Sequence, residues 1–79
     1  MRIQVLAFAQ ARDLLGFDER DVEVAQSTTA EALLESVKPG LRSELPPTTR
    51  VAIDMEYSSW DAQLAEGQVL AVIPPVSGG

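Results

Sequence analysis

The stretch Val69-Leu70-Ala71-Val72-Ile73-Pro74-Pro75-Val76-Ser77-Gly78-Gly79 joins an unbroken apolar run to a double proline and a diglycine. Opening just after Gly67, the run Val69 to Ile73 reads as a strand buried on both faces, and so central in its sheet. Pro74 and Pro75 have no N–H to give a ladder, so the sheet stops there and the chain leaves it extended. No Lys, Arg, Asp or Glu follows Glu66, so the departing segment has no charged side chain. Glycine has no Cβ, and two in succession pass through a slit closed to other residues. This predicts an arm whose working group is the Gly79 carboxylate, with Gly78 making room for it. The competing reading is an inert, frayed end.

Working outward, Met1 to Phe8 is rich in β-formers, with Ile3, Val5 and Ala7 on one face. It predicts a second central strand. Ala9 to Leu15 carries helix formers and stops at Gly16, where a left-handed C-cap is expected. Asp18 to Asp21 reads as a polar reversal, and Val22-Glu23-Val24 as a strand antiparallel to the first. The clearest helix comes next. Thr28 and Glu31 stand at capping-box spacing, with Thr29 as the other candidate N-cap. Ala30, Leu33, Leu34 and Val37 then form one apolar stripe, and Pro39-Gly40 ends it. Leu41 to Leu45 predicts a further helical turn before Pro46-Pro47. Arg50 to Tyr57 alternates, with Val51, Ile53, Met55 and Tyr57 opposing Ala52, Asp54 and Glu56, and predicts one half-buried strand. Ser58 to Gly67 reads as a loop anchored by Trp60 and Leu64.

The order strand, strand, helix, strand, strand, with apolar first and last strands, predicts an α+β fold. Its mixed sheet grips one main helix, with the terminal strands parallel in the middle. That is the β-grasp arrangement. Residues 1–75 are expected to form the domain and 76–79 a flexible diglycine tail.

Composition narrows the chemistry. Seventy-nine residues make one small domain, whose core seldom supplies more than about 3–5 kcal/mol of net stability. Without Cys or His, disulfides, thiolate zinc sites and imidazole catalysis are excluded. Six Lys and Arg against twelve Asp and Glu give a formal charge of −6. This speaks against nucleic acid and anionic membranes and leaves two options, a basic partner surface or simple solubility. Ala7-Phe8-Ala9 has the look of a signal-peptidase site, but the apolar stretch before it is short and interrupted by Gln4. No run reaches the roughly 18–20 apolar residues that span a bilayer. A cytoplasmic protein is expected.

Three blocks carry a family resemblance. They are Phe8-Ala9-Gln10-Ala11-Arg12-Asp13-Leu14-Leu15-Gly16, Thr29-Ala30-Glu31-Ala32-Leu33, and the whole of Val69 to Gly79. In this order, across the full chain, they resemble the small subunit of molybdopterin synthase, a ubiquitin-like sulfur carrier family. The chain departs from that pattern at Asp54 (usually Asn), at Gln68 (usually acidic), and at Val72 and Ile73 (often aromatic). None of these touches the diglycine.

The resemblance implies a mechanism. An E1-like adenylating enzyme consumes ATP to join Gly79 to AMP, because a bare carboxylate has a poor leaving group. A sulfur donor then displaces AMP and leaves a thiocarboxylate. The large synthase subunit, in a heterotetramer of two small and two large chains, takes the loaded tail. Sulfur passes to cyclic pyranopterin monophosphate and builds the dithiolene of molybdopterin. The chain itself binds no cofactor, and the resemblance makes it a sulfur-donating subunit rather than a catalyst on its own. Phe8, Tyr57 and Ile73 are candidates for a docking patch, with core packing the alternative for Phe8 and Ile73. Pro74 and Pro75 stiffen the arm, and Val76 and Ser77 enter the partner with it. Arg12 reads as an interface or helix-end cation, Trp60 as a loop anchor, and Lys38, the only lysine, as a conjugation site or helix-terminal cation. Two other functions stay open: sulfur delivery to thiamine or tRNA, and a ubiquitin-like modifier or interaction module.

Overall fold

The computed structural model describes residues 1–75. The elements run β1 (Arg2–Ala7), α1 (Ala9–Leu15), β2 (Glu19–Glu23), α2 (Ala30–Val37), α3 (Leu41–Glu44), β3 (Arg50–Ile53), β4 (Glu56–Ser58) and β5 (Val69–Ile73). Five strands form one sheet in the order β2-β1-β5-β3-β4. β1 and β5 are parallel at its centre, Val5 beside Leu70 and Ala7 beside Val72, and the other pairs are antiparallel. This is the β-grasp arrangement the element order predicts.

The apolar stripe of α2 lies over one face of this sheet. Leu33, Leu34 and Ala30 are buried with Ile3, Val5, Ala7, Val51, Leu70 and Val72, and Val37 packs at the margin. Thr29, not Thr28, caps the helix, its Oγ1 accepting from the Ala32 N–H at 3.1 Å. Two further N–H groups of the first turn find carbonyls in the long loop: Ala30 donates to Ala62 at 3.0 Å and Glu31 to Trp60 at 2.8 Å. The free donors of the helix start are thus satisfied by the segment that leads into β5. At α1, Gly16 is the left-handed C-cap (φ 85), and its N–H reaches the Arg12 carbonyl.

Two expectations are corrected. Arg50 to Tyr57 is a hairpin, not one strand: the chain reverses at Asp54 (φ 50) and Met55 (φ 71). Consecutive left-handed residues make the two-residue turn whose twist suits antiparallel strands. The reversal pairs Tyr57 with Ala52 and puts it on the face opposite Val51, where unbroken alternation placed both on one side. The second correction concerns β2, which begins at Glu19, inside the expected reversal. Its backbone needs only β1 as a partner, so charged side chains on an edge strand remain in water.

Candidate functional site

Alternation along each strand sends every second residue to the face that α2 does not cover. Register then joins four strands in one row across that face: Leu6 beside Ala71, Ala71 beside Ala52, Ala52 beside Tyr57. The two alanines floor a shallow depression of about 360 Å³, rimmed by Phe8, Met55, Tyr57 and Ile73 among others. Three of the protein's large apolar side chains stand out here, Phe8 at 48%, Tyr57 at 60% and Met55 at 96% exposure. Large apolar side chains exposed side by side on a small domain make this face the candidate interaction surface.

Polar groups frame the patch. The Arg50 guanidinium lies 4.0 Å from the centre of the Tyr57 ring and holds it at the edge of the depression. Asp54 fastens the hairpin tip to the start of β5: its carboxylate accepts from the Val69 N–H and its own N–H donates to the Val69 carbonyl, both at 2.9 Å. On the far side, β2 turns Glu19, Asp21 and Glu23 to the same face beside Leu6, Gln4 and Arg2. Gln4 donates to Glu19, and Arg2 pairs with Glu23 at 3.2 Å. The face is therefore apolar over β5, β3 and β4 and acidic over β2.

Of the expected docking residues, Phe8, Tyr57 and Ile73 come together on this face. Ile73, half-buried, lies beside Arg50 and outside the core. Pro74 is buried at the end of β5 and Pro75 is exposed. Val76, Ser77, Gly78 and Gly79 lie outside the described residues. Covalent geometry nonetheless limits Gly79 to about 14 Å from Pro75, four residues at roughly 3.3–3.6 Å each. Leu6, Ala52, Met55, Val69 and Ala71 also belong to the patch. For Leu6, Val69 and Ala71 the signal was the outward register of β1 and β5, which the apolar runs hide by filling both faces; Ala52 and Met55 were hidden by the unrecognised β3–β4 turn.

The other candidates lie elsewhere. Arg12 is exposed, 3.9 Å from Asp13. Trp60 packs against the core under the Arg42 guanidinium, as a loop anchor. Lys38 caps the end of α2 and reaches Glu44 at 3.6 Å. A second depression, lined by Glu31, Glu35, Gly40, Arg42, Ser43, Leu45 and Pro47, lies beside α2 and α3. There the Glu35 carboxyl is held below its ordinary range by the N–H groups of Gly40 at 2.8 Å and Arg42 at 3.2 Å. Those bonds join two helices and occupy the carboxylate. Among the described residues no acidic cluster suited to a metal ion occurs.

Comparison with known proteins gives one consistent result. The ThiS family model matches residues 5–79. A molybdopterin synthase sulfur carrier subunit of Chlamydomonas reinhardtii is 36% identical over 84 residues, covering all of both chains. That of Escherichia coli (strain K12) is 37% identical over 82 residues, covering 98% of this chain and 99% of its own. The crystal structure of SAMP1 from Haloferax volcanii superimposes with a TM-score of 0.82 at 25% identity, covering both chains fully.

Proposed function

The chain belongs to the ThiS family, and from that membership and its bare sheet face we infer that it is the sulfur carrier subunit of a molybdopterin synthase. The observation that carries the reading is positional. β5 is central, and its last residue, Ile73, lies on the apolar face. Any protein that takes Gly79 into a pocket must come within about 14 Å of Pro75, and so within reach of that face. The body supplies docking area and the diglycine supplies chemistry.

In the proposed cycle an E1-like partner transfers AMP from ATP to the Gly79 carboxylate and releases pyrophosphate. Sulfide-level sulfur (HS⁻) from a donor attacks the acyl carbon, AMP leaves with the electron pair of the broken bond, and a thiocarboxylate remains. The large subunit of a synthase with two small and two large chains docks on the same face. The thiocarboxylate sulfur then attacks a carbon of cyclic pyranopterin monophosphate and displaces an oxygen substituent from it. Water cleaves the resulting thioester at its acyl–sulfur bond, which leaves sulfur on the substrate and returns the Gly79 carboxylate. Two such transfers complete the dithiolene. ATP is consumed by the activating partner, and the cycle is placed in the cytoplasm. No general base is needed from this chain.

The test is intact-mass spectrometry after incubation with the activating enzyme, ATP and a sulfur donor. Replacement of one oxygen by sulfur at Gly79 is expected, and deleting Gly79 should abolish molybdopterin formation while leaving the melting temperature unchanged. A Gly79-deleted chain that still supports molybdopterin formation at the normal rate overturns the proposal. Thiocarboxylate formation with sulfur passing only to thiamine or tRNA, or an isopeptide bond to lysine, overturns the assigned acceptor.

A further inference from the structure

We propose that Met55 is a docking residue, whose thioether enters an apolar recess of the large synthase subunit, and that the β3–β4 turn is strained in order to present it. The proposal rests on the function inferred above and adds to it a residue and a cost. Asp54 and Met55 both have positive φ, 50° and 71°. A turn of this kind favours Asn-Gly, because a side chain at left-handed φ crowds its own carbonyl. The two-residue turn imposes the conformation on both residues, and the Asp54 carboxylate offsets it by accepting from Val69. The Met55 side chain, 96% exposed, makes no such compensating bond among the described residues.

Strained residues are gathered around this face. Of the four non-glycine residues with positive φ among those described, Met55 lines the depression, while Asp54 and Ala9 are sequence neighbours of its lining residues Met55 and Phe8; Ser27 lies apart. Backbone strain of this kind concentrates at functional sites. The side chain also suits the task. Methionine is unbranched and polarizable, and it fits recesses of irregular shape and contacts aromatic rings well. The occupant follows from the reach of the chain: the protein holding Gly79 must sit beside Ile73, and the depression runs from there to Met55.

The experiment titrates the wild type, Met55→Gly and Met55→Leu against the large subunit of the same organism's molybdopterin synthase by calorimetry. Each chain is also melted alone and its mass in solution measured. Met55→Gly should bind about 10- to 100-fold more weakly, from the loss of one buried apolar side chain. It should also melt about 4–8 °C higher, from relief of the turn. Met55→Leu should stay within about threefold in affinity and keep the wild-type melting temperature. Wild-type affinity in Met55→Gly, or a lower melting temperature, overturns this inference and leaves the sulfur carrier reading intact. A wild type that fails to bind the large subunit overturns that reading, and this inference with it. Self-association of the wild type that Met55→Gly abolishes assigns the surface to a second copy and overturns the choice of partner.

Discussion

The two faces of the sheet are made by alternate residues of the same strands, yet they meet different fates. Ile3, Val5, Leu70 and Val72 point to one side and are fully buried under α2. Leu6, Ala71, Ala52 and Tyr57 point to the other, and no described element packs over them. Strand β2 shows what that second face looks like when it meets only water, since its outward residues are Glu19, Asp21 and Glu23. Had solubility alone shaped the face, β5 would carry charge there too. It carries valine, alanine and isoleucine, next to Ala52 of β3, Met55 of the turn and Tyr57 of β4, while the charged Arg2 and Arg50 stand at the margins. The covered face is complete within the chain, and the bare face is the one the proposed partner would complete.

The largest effect should come from the covered face. Leu33 is fully buried beneath α2, so Leu33→Ala removes apolar contact and leaves a cavity at a cost of about 2–5 kcal/mol. In a domain this small that is a large share of the total, and urea unfolding should show a much lower midpoint. A midpoint near the wild type would show that α2 is not what holds the sheet.

On the bare face the same truncation should act on binding instead. Tyr57→Ala gives up the Arg50 contact, about 0.5–1 kcal/mol at an exposed site, and should hardly move the unfolding midpoint. Its affinity for the large subunit should fall by about 2 kcal/mol, as expected for an aromatic anchor buried in an interface. Equal losses in folding and binding would break the distinction between the faces.

The covered face was legible in the sequence because its signals are local and periodic. The α2 stripe, the Gly16 cap and the Pro74-Pro75 stop each depend on a few neighbouring residues, and each appears where expected. The bare face was only half legible. Phe8, Tyr57 and Ile73 could be named as docking candidates, but core packing competed for Phe8 and Ile73 because a doubly apolar strand does not say which side is covered. The hairpin was hidden for another reason. Asp54-Met55 lacks the glycine that announces a two-residue turn, and the apolar period continues through it by coincidence. The departure from the family's usual Asn at Asp54 falls on that turn, at a left-handed residue both Asn and Asp tolerate.

The smallest effect separates the faces by pH. Glu35 ties α2 to α3 on the covered side, accepting from the Gly40 and Arg42 N–H groups, and these bonds lower its pKa in the folded protein. A depressed carboxylate binds fewer protons folded than unfolded. Its stabilising contribution is therefore full above the unfolded-state pKa and is lost as pH falls through the folded one. Glu35→Gln lacks the charge at every pH. The wild type should be the more stable at neutral pH, and its advantage should shrink on acidification below the ordinary carboxylate range. Urea midpoints for both chains, taken at about pH 7 and about pH 3, isolate this residue from the other carboxylates because only the difference between chains is compared. Affinity for the large subunit at neutral pH should be the same in both, since Glu35 lies in the depression beside α2 and α3 and not on the bare face. An advantage that grows in acid would reverse the sign of the linkage, and weaker docking by Glu35→Gln would place part of the interface on the helical side.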